Sequence, residues 1–179
     1  MVRYTIVRKL GQGGFGVVYL VKTPDGKQYA MKVIDLSEMS SQMRAKARSE
    51  VEILSKLNHS NIVKYISSWT DNNKLYIVMN YIDGGNLRQY ISRQNGELLR
   101  IDTVCSICWQ IAKALEYIHK NHIIHRDLKP ENILVSNAFD IIYLSDFGLA
   151  KSLYTSSQYA YTQCGTPVYS APEVLLGDP

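Results

Sequence analysis

Apolar positions change their spacing several times along this chain, and each change marks an element. Tyr4-Thr-Ile-Val alternates weakly, and Val17-Val-Tyr-Leu-Val is rich in β-branched and aromatic side chains, so both predict strands. Thr23-Pro-Asp-Gly-Lys predicts a turn, because Pro presets φ and Gly accepts φ > 0. Gln28-Tyr-Ala-Met-Lys-Val-Ile reads as a third strand. From about residue 38 to 57 the spacing becomes helical, with Met39, Met43, Ala47, Val51, Leu54 and Leu57 recurring every three or four positions. Ile62-Val-Lys-Tyr-Ile and Leu75-Tyr-Ile-Val-Met return to strand, and Asp83-Gly-Gly breaks the pattern as a hinge between two lobes would. A long helix is predicted over about 101–121, with Val104, Cys108, Ile111, Leu115 and Ile118 on one stripe. Short strands follow around 132–136 and 141–145, then a loop rich in Tyr, Ser and Thr. The order predicts an α+β chain: a β-rich region over 1–82 with a five-stranded sheet and one helix, then a mainly helical region over 83–179.

Composition narrows the class. The 179 residues suffice for a real core, and 46% apolar with 20% charged residues is a soluble globular profile. The net charge of +4 suits a protein that handles phosphates, but it is too small and scattered to argue for nucleic acid. No apolar run approaches the ~20 residues that span a bilayer, so no membrane partner is expected. Met1-Val-Arg-Tyr-Thr-Ile-Val-Arg-Lys-Leu lacks the apolar core of a signal peptide, so a cytoplasmic address is expected, with the nucleus open. Three cysteines argue against a disulfide framework. Cys105 and Cys108 form a C-x-x-C, but their helical spacing is expected to put both on one buried face, and no second pair completes a zinc site.

Four motifs carry candidate chemistry. Gly11-Gln-Gly-Gly-Phe-Gly-Val-Val fits G-x-G-x-x-G-x-V, a spacing shared with dinucleotide-binding folds. A dinucleotide motif must open a helix, whereas Val17 and Val18 continue into a strand. The glycines therefore predict a hairpin whose backbone N–H groups can approach phosphate oxygens. No G-x-x-x-x-G-K-[ST] is present, which disfavours a P-loop NTPase. Lys32 sits among apolar residues on a central strand, where an unpaired ammonium is costly, so it needs anions. ATP phosphates supply one, and Glu50, on the inward stripe of the first helix, supplies another, while Glu52 points elsewhere. In His125-Arg-Asp-Leu-Lys-Pro-Glu-Asn132, Asp127 can accept a hydroxyl proton, Lys129 can neutralise a phosphoryl group, and Asn132 can hold a metal. Asp146-Phe-Gly148 follows a strand and presents a second oxygen ligand suited to Mg²⁺, and Ala171-Pro-Glu173 closes the loop.

These motifs, in this order, resemble the eukaryotic protein kinase family from nearly the first residue to the last. The Asp-Leu-Lys-Pro-Glu-Asn stretch and Gly165-Thr-Pro-Val-Tyr-Ser-Ala-Pro-Glu resemble the Ser/Thr type. Leu75-Tyr-Ile-Val-Met-Asn-Tyr-Ile-Asp-Gly-Gly and Ser55-Lys-Leu-Asn-His-Ser-Asn-Ile-Val-Lys-Tyr are most similar to NIMA-related (NEK) kinases. The resemblance implies a kinase N-lobe over 1–82 and a partial C-lobe over 83–179, with ATP and Mg²⁺ as cofactors and protein Ser/Thr hydroxyls as substrates. It implies nucleotide contacts from Gly11, Gln12, Gly13, Gly14, Phe15, Gly16, Val18, Ala30, Lys32, Met79 (the gatekeeper), Asn80 to Ile82 (the adenine hinge) and Leu134. Asn86 stands where an acidic residue often meets the ribose. Leu54, Tyr65, His125 and Phe147 match one internal spine of the family, and Val18, Ala30 and Leu134 part of another. Thr162 matches a position that often carries an activating phosphate, placed there by an upstream kinase or by the protein itself. Arg126, Lys151 and Lys46 are expected to receive it.

The resemblance also carries an expectation about length. Family members continue past Pro179 with helices that floor the large lobe, so residues 1–179 alone are expected to be poorly soluble or partly molten, with little activity. A binding module that retains nucleotide contacts without turnover is the alternative to an active kinase.

Overall fold

The computed structural model describes residues 3–13, 16–152 and 166–176. The chain divides into two compact units, Met1–Leu57 with Val63–Ile82, and Asn58–Ile62 with Asp83–Pro179. Residues 58–62, which the spacing alone groups with the first region, thus belong with the second.

In the first unit, β1 (Thr5–Gly13), β2 (Gly16–Lys22), β3 (Gln28–Asp35), β4 (Tyr65–Asp71) and β5 (Lys74–Asn80) form one sheet in the order β1-β2-β3-β5-β4. All four pairings are antiparallel. Alternation sorts β3 cleanly: Ala30, Lys32 and Ile34 are buried on one face, while Tyr29 and Val33 lie half-buried around Met31 on the other. That second face holds Val21, Met31 and Val78 under an aromatic layer in which Trp69 stacks on Tyr4 and on Tyr76. The β4–β5 hairpin turns through Asn72 and Asn73, both at positive φ (47° and 58°), the backbone handedness that a tight two-residue turn requires. The strand expected over 62–66 begins later, at Tyr65. Ile62 and Val63 are buried, and Ile62 instead bridges to Leu144 within the second unit, so their hydrophobicity serves a different contact.

The helix α1 (Ser41–Lys56) starts where Ser40 caps it, its side chain accepting from Met43 N–H. Its buried stripe is Ala47, Glu50, Ile53 and Leu54. Met43 is exposed and Val51 only half-buried, so the stripe is rotated from the one hydropathy selects. Glu50 lies on the buried stripe, as its spacing from Ala47 and Leu54 predicts.

The second unit contains α2 (Leu87–Arg93), α3 (Ile101–Lys120), β6 (Ile123–Ile124), β7 (Ile133–Val135), β8 (Ile142–Leu144), β9 (Lys151–Ser152) and α4 (Pro172–Leu176). Apolar spacing does not predict α2, whose seven residues carry too little periodicity. Its start is nonetheless encoded in a reciprocal cap, in which Asn86 Oδ1 accepts Gln89 N–H and Gln89 Oε1 accepts Asn86 N–H. One buried cluster joins Leu87, Ile107, Ile133, Val135 and Ile142.

The long helix is present, but its expected face is corrected. Ile107, Gln110, Ala114 and Ile118 are buried, whereas Val104, Cys105 and Cys108 are exposed. Gln110 leads the buried stripe because its amide is spoken for: Oε1 accepts from Ile142 N–H (3.0 Å) and Asn61 Nδ2 (2.8 Å), and Nε2 donates to Asp140 O (3.0 Å). Asn61 also donates to Ile142 O (3.0 Å). A fully partnered buried amide pair rotates the helix by about one residue and turns the C-x-x-C outward.

Candidate active site

The first unit carries the glycine-rich hairpin and the buried lysine. Gly11, Gln12 and Gly13 pair with Val18, Val17 and Gly16, while Gly14 and Phe15 lie outside the described residues. The glycines differ in what requires them. Gly16 has φ +144°, and a Cβ there would strike the backbone carbonyl of Val33. Added Cβ atoms at Gly11 and Gly13 would meet nothing within 4 Å. Fold geometry explains Gly16; the other two leave an open backbone cradle of the kind a phosphate chain fills. We expect Gly16→Ala to lower the thermal midpoint measurably. Gly13→Ala is expected to leave the midpoint in place while raising KM for ATP, as read by thermal melts beside steady-state kinetics. Equal melts for both variants would remove the distinction.

Lys32 Nζ meets Glu50 Oε1 at 2.7 Å, with the side chains 9% and 2% exposed. The pair joins the central strand to α1 within one unit. Desolvating both charges offsets much of their attraction, so the pair fixes a geometry more than it adds stability. Around Lys32, Val18 is half-buried and lies directly opposite on β2, and buried Ala30 pairs with Met79 on β5. Asn80 is exposed and its N–H donates to Lys64 O (2.9 Å); Ile82 is half-buried.

The second unit assembles the His125–Asn132 loop with Ser145–Phe147 and Thr166. Asp127 is buried, and its carboxylate is held from three sides. Thr166 Oγ1 donates to Oδ1 (2.9 Å), and Lys129 Nζ (2.8 Å) and Asn132 Nδ2 (2.9 Å) meet Oδ2. Lys129 Nζ also donates to Thr166 Oγ1 (2.7 Å), closing a triangle of carboxylate, ammonium and hydroxyl. Burial pushes the Asp127 pKa up, but the bonds from Lys129, Thr166 and Asn132 outweigh it and hold the carboxyl below its ordinary 3.8. His125 is buried against Phe147, ring centroids 4.9 Å apart, and burial lowers its pKa so the ring stays neutral. Its Nδ1 accepts Asp127 N–H (3.3 Å) and its Nε2 lies 2.9 Å from Ser145 O, which together select the Nε2–H tautomer.

Two residues here hold left-handed backbone, Arg126 at φ 64° and Asp146 at φ 60°. Strain of this kind persists only where neighbours over-determine it, and both lie beside buried, hydrogen-bonded His125 or Phe147. Arg126 Nε donates to Leu149 O at 2.7 Å, so it is anchored by a backbone carbonyl without any phosphate. Lys151 begins β9, and Lys46 is exposed on α1 in the other unit. Thr162 lies outside the described residues. Leu134 is half-buried in β7, and Asn86 bridges to it while spending its side-chain oxygen on the α2 cap.

The donor set fits magnesium held by a nucleotide. Among the described residues no three His, Cys, Asp or Glu side chains cluster as a metal cage. One carboxylate, Asp146, and one amide oxygen, Asn132 Oδ1, are what a cation keeping phosphate and water ligands needs. Asn132 Nδ2 bonds Asp127 O and Oδ2, which turns Oδ1 away from Asp127. Motif spacing assigns no role to Thr166 or Ser145. Thr166 lies 39 positions from Asp127, and only folding shows that its hydroxyl completes the triangle. No helix among the described residues is long and apolar enough to cross a membrane.

Comparison with known proteins agrees with this geometry. A family model described as protein kinase domain matches residues 4–179. Serine/threonine-protein kinase Nek1 of Mus musculus is 40% identical over 180 residues, covering 100% of this chain and 15% of that protein. Nek5 of Homo sapiens is 39% identical over 180 residues (100% of this chain, 25% of that protein), and Nek4 of Mus musculus 42% over 178 (98% and 22%). The chain thus spans a quarter or less of these relatives' length.

Proposed function

Because this chain belongs to the protein kinase domain family, we propose that it transfers the terminal phosphoryl group of ATP to serine or threonine hydroxyls of protein substrates. The observation that carries the proposal is the Asp127 carboxylate, buried and oriented by Lys129, Thr166 and Asn132. Phosphoryl transfer asks the protein mainly for positioning and charge stabilisation. In this reading Asp127 orients the acceptor hydroxyl and receives its proton late, since a carboxyl with a depressed pKa is a weak base. Lys129 stabilises charge on the group in flight, and Lys32, aligned by Glu50, holds phosphate oxygens. Asn132 and Asp146 would hold Mg²⁺, which supplies charge neutralisation on the phosphates. The NEK-type relatives, named as serine/threonine kinases, support the acceptor class.

The test is transfer of labelled γ-phosphate from ATP to peptides offering Ser, Thr or Tyr, followed by phosphoamino-acid analysis. Label on Ser and Thr is expected. Nucleotide binding with no transfer would replace the enzyme with a nucleotide-binding module.

Regulation is proposed at Thr162. A phosphate there would carry about −1.5 to −2 charges and offer charge-assisted bonds to Arg126, Lys151 and Lys46, linking loop order to the Lys32–Glu50 pair. Thr162→Ala is expected to lower activity strongly and Lys46→Ala less, with non-additive effects. Full activity of Thr162→Ala, with Thr162 unmodified in mass spectra, rules the switch out.

A further inference from the structure

Ser145 lies immediately before Asp146 and ties the two candidate metal ligands together. Its N–H and its Oγ–H both donate to the same atom, Asn132 O, each at 2.9 Å. Its own carbonyl lies 2.9 Å from His125 Nε2. One residue thus joins the backbone of Asn132, the buried His125 ring and the start of Asp146.

This placement bears on Asp146 because the aspartate sits at φ 60°, a conformation that costs a non-glycine residue energy. Its two chain neighbours are themselves fixed. Phe147 after it is 1% exposed and packed edge-on against His125. Ser145 before it is half-buried and bonded at N–H, hydroxyl and carbonyl. The Asn132 end is equally fixed, since its amide donates to Asp127 O and Oδ2 and its N–H to Lys129 O. Loosening the Ser145–Asn132 link would therefore change the spacing of the Asn132 amide and the Asp146 carboxylate.

We propose that Ser145 is the positioning residue for the metal: its hydroxyl bond to Asn132 O sets the separation of the Asn132 and Asp146 oxygens and thereby the affinity for Mg²⁺ delivered with a nucleotide. The proposal rests on the reading of Asn132 and Asp146 as the Mg²⁺ ligands. Residues behind metal ligands commonly change affinity about 10- to 100-fold when removed. Here the Ser145 N–H bond to the same oxygen survives, so a smaller effect, about three- to tenfold, is expected from losing the hydroxyl.

The experiment is calorimetric titration of the full-length protein with ADP, in EDTA and across a MgCl₂ series, for wild type, Ser145→Ala and Ser145→Thr. Ser145→Ala is expected to raise the Mg²⁺ concentration that half-saturates the metal-dependent gain in ADP affinity. Metal-free ADP affinity stays unchanged and the ligand-free thermal midpoint falls by no more than a few degrees, which a general loss of structure would not allow. Ser145→Thr, which keeps the hydroxyl, restores the wild-type Mg²⁺ dependence. Should Ser145→Ala unfold, Ser145→Thr against Ser145→Val gives the same comparison, since the pair differs by a hydroxyl and a methyl of like size. An unchanged Mg²⁺ dependence on losing the hydroxyl overturns the role of Ser145. Wild-type protein in which Mg²⁺ has no effect on ADP affinity overturns the ligand reading itself.

Discussion

Asp127→Asn is expected to cut kcat by about 10²- to 10⁴-fold while leaving KM for ATP within a few-fold. The amide keeps the size of the carboxylate and loses its charge and its ability to take a proton. Lys129 then loses the charge of its 2.8 Å partner, and a single amide oxygen cannot accept at both the Oδ1 and Oδ2 positions, so the triangle loosens as well as the base disappearing. An effect on kcat without a matching effect on ATP binding is the signature of an interaction made at the reacting hydroxyl. The wild-type pH profile carries a linked expectation. The Asp127 pKa is depressed below 3.8, so its ion pair contributes stability that is fully present above the unfolded-state value. That stability is lost only as pH falls through the lower folded value. Asp127 should therefore add no inflection to activity between about pH 5 and 9. Near-normal turnover of the variant would contradict the assignment, and an acid limb near pH 6 that vanishes with it would contradict the lowered pKa alone.

Lys32→Met is expected to lower kcat/KM by about 10²- to 10³-fold, the range for losing one donor aimed at developing charge, and to lower the thermal midpoint. Methionine keeps the apolar stem and removes the ammonium, so Glu50, 3% exposed, stays buried without its 2.7 Å counter-charge, which is costly. Glu50→Gln separates the two roles. It leaves the Lys32 ammonium in place, so activity should fall less than in Lys32→Met, while the midpoint falls in both variants because each breaks the same buried pair. Steady-state kinetics and thermal melts of both variants decide the matter. If Lys32→Met retains nucleotide affinity and turnover, the buried pair serves the fold alone.

Motif chemistry is legible in the amino-acid sequence because the residues that carry it are types rarely placed where they stand. A lysine amid apolar strand residues, a glutamate on a buried stripe, and the His125–Asn132 and Asp146–Gly148 runs are local patterns. A five-stranded sheet is legible too, since β-branched alternation and the Thr23–Lys27 turn are short-range signals, while its antiparallel order is seen only in the fold.

Three features need the folded chain. Hydropathy places Cys105 and Cys108 inside, but the paired amides of Asn61 and Gln110 bury a polar residue and rotate α3, and periodicity cannot foresee a buried polar side chain whose partner is 49 residues away. Residues 58–62 look like the run-in to a strand, yet Asn61 and Ile62 bond to Ile142 and Leu144, a pairing of distant segments. Thr166 and Ser145 look like ordinary loop hydroxyls in the sequence. Only tertiary contact brings one to Asp127 and the other to Asn132. The chemical groups that the proposed phosphoryl transfer would use are encoded residue by residue, so local motifs suffice to name them. The hydroxyls and amides that hold those groups in place are selected by folding, because a hydrogen bond across dozens of residues leaves no trace in local spacing.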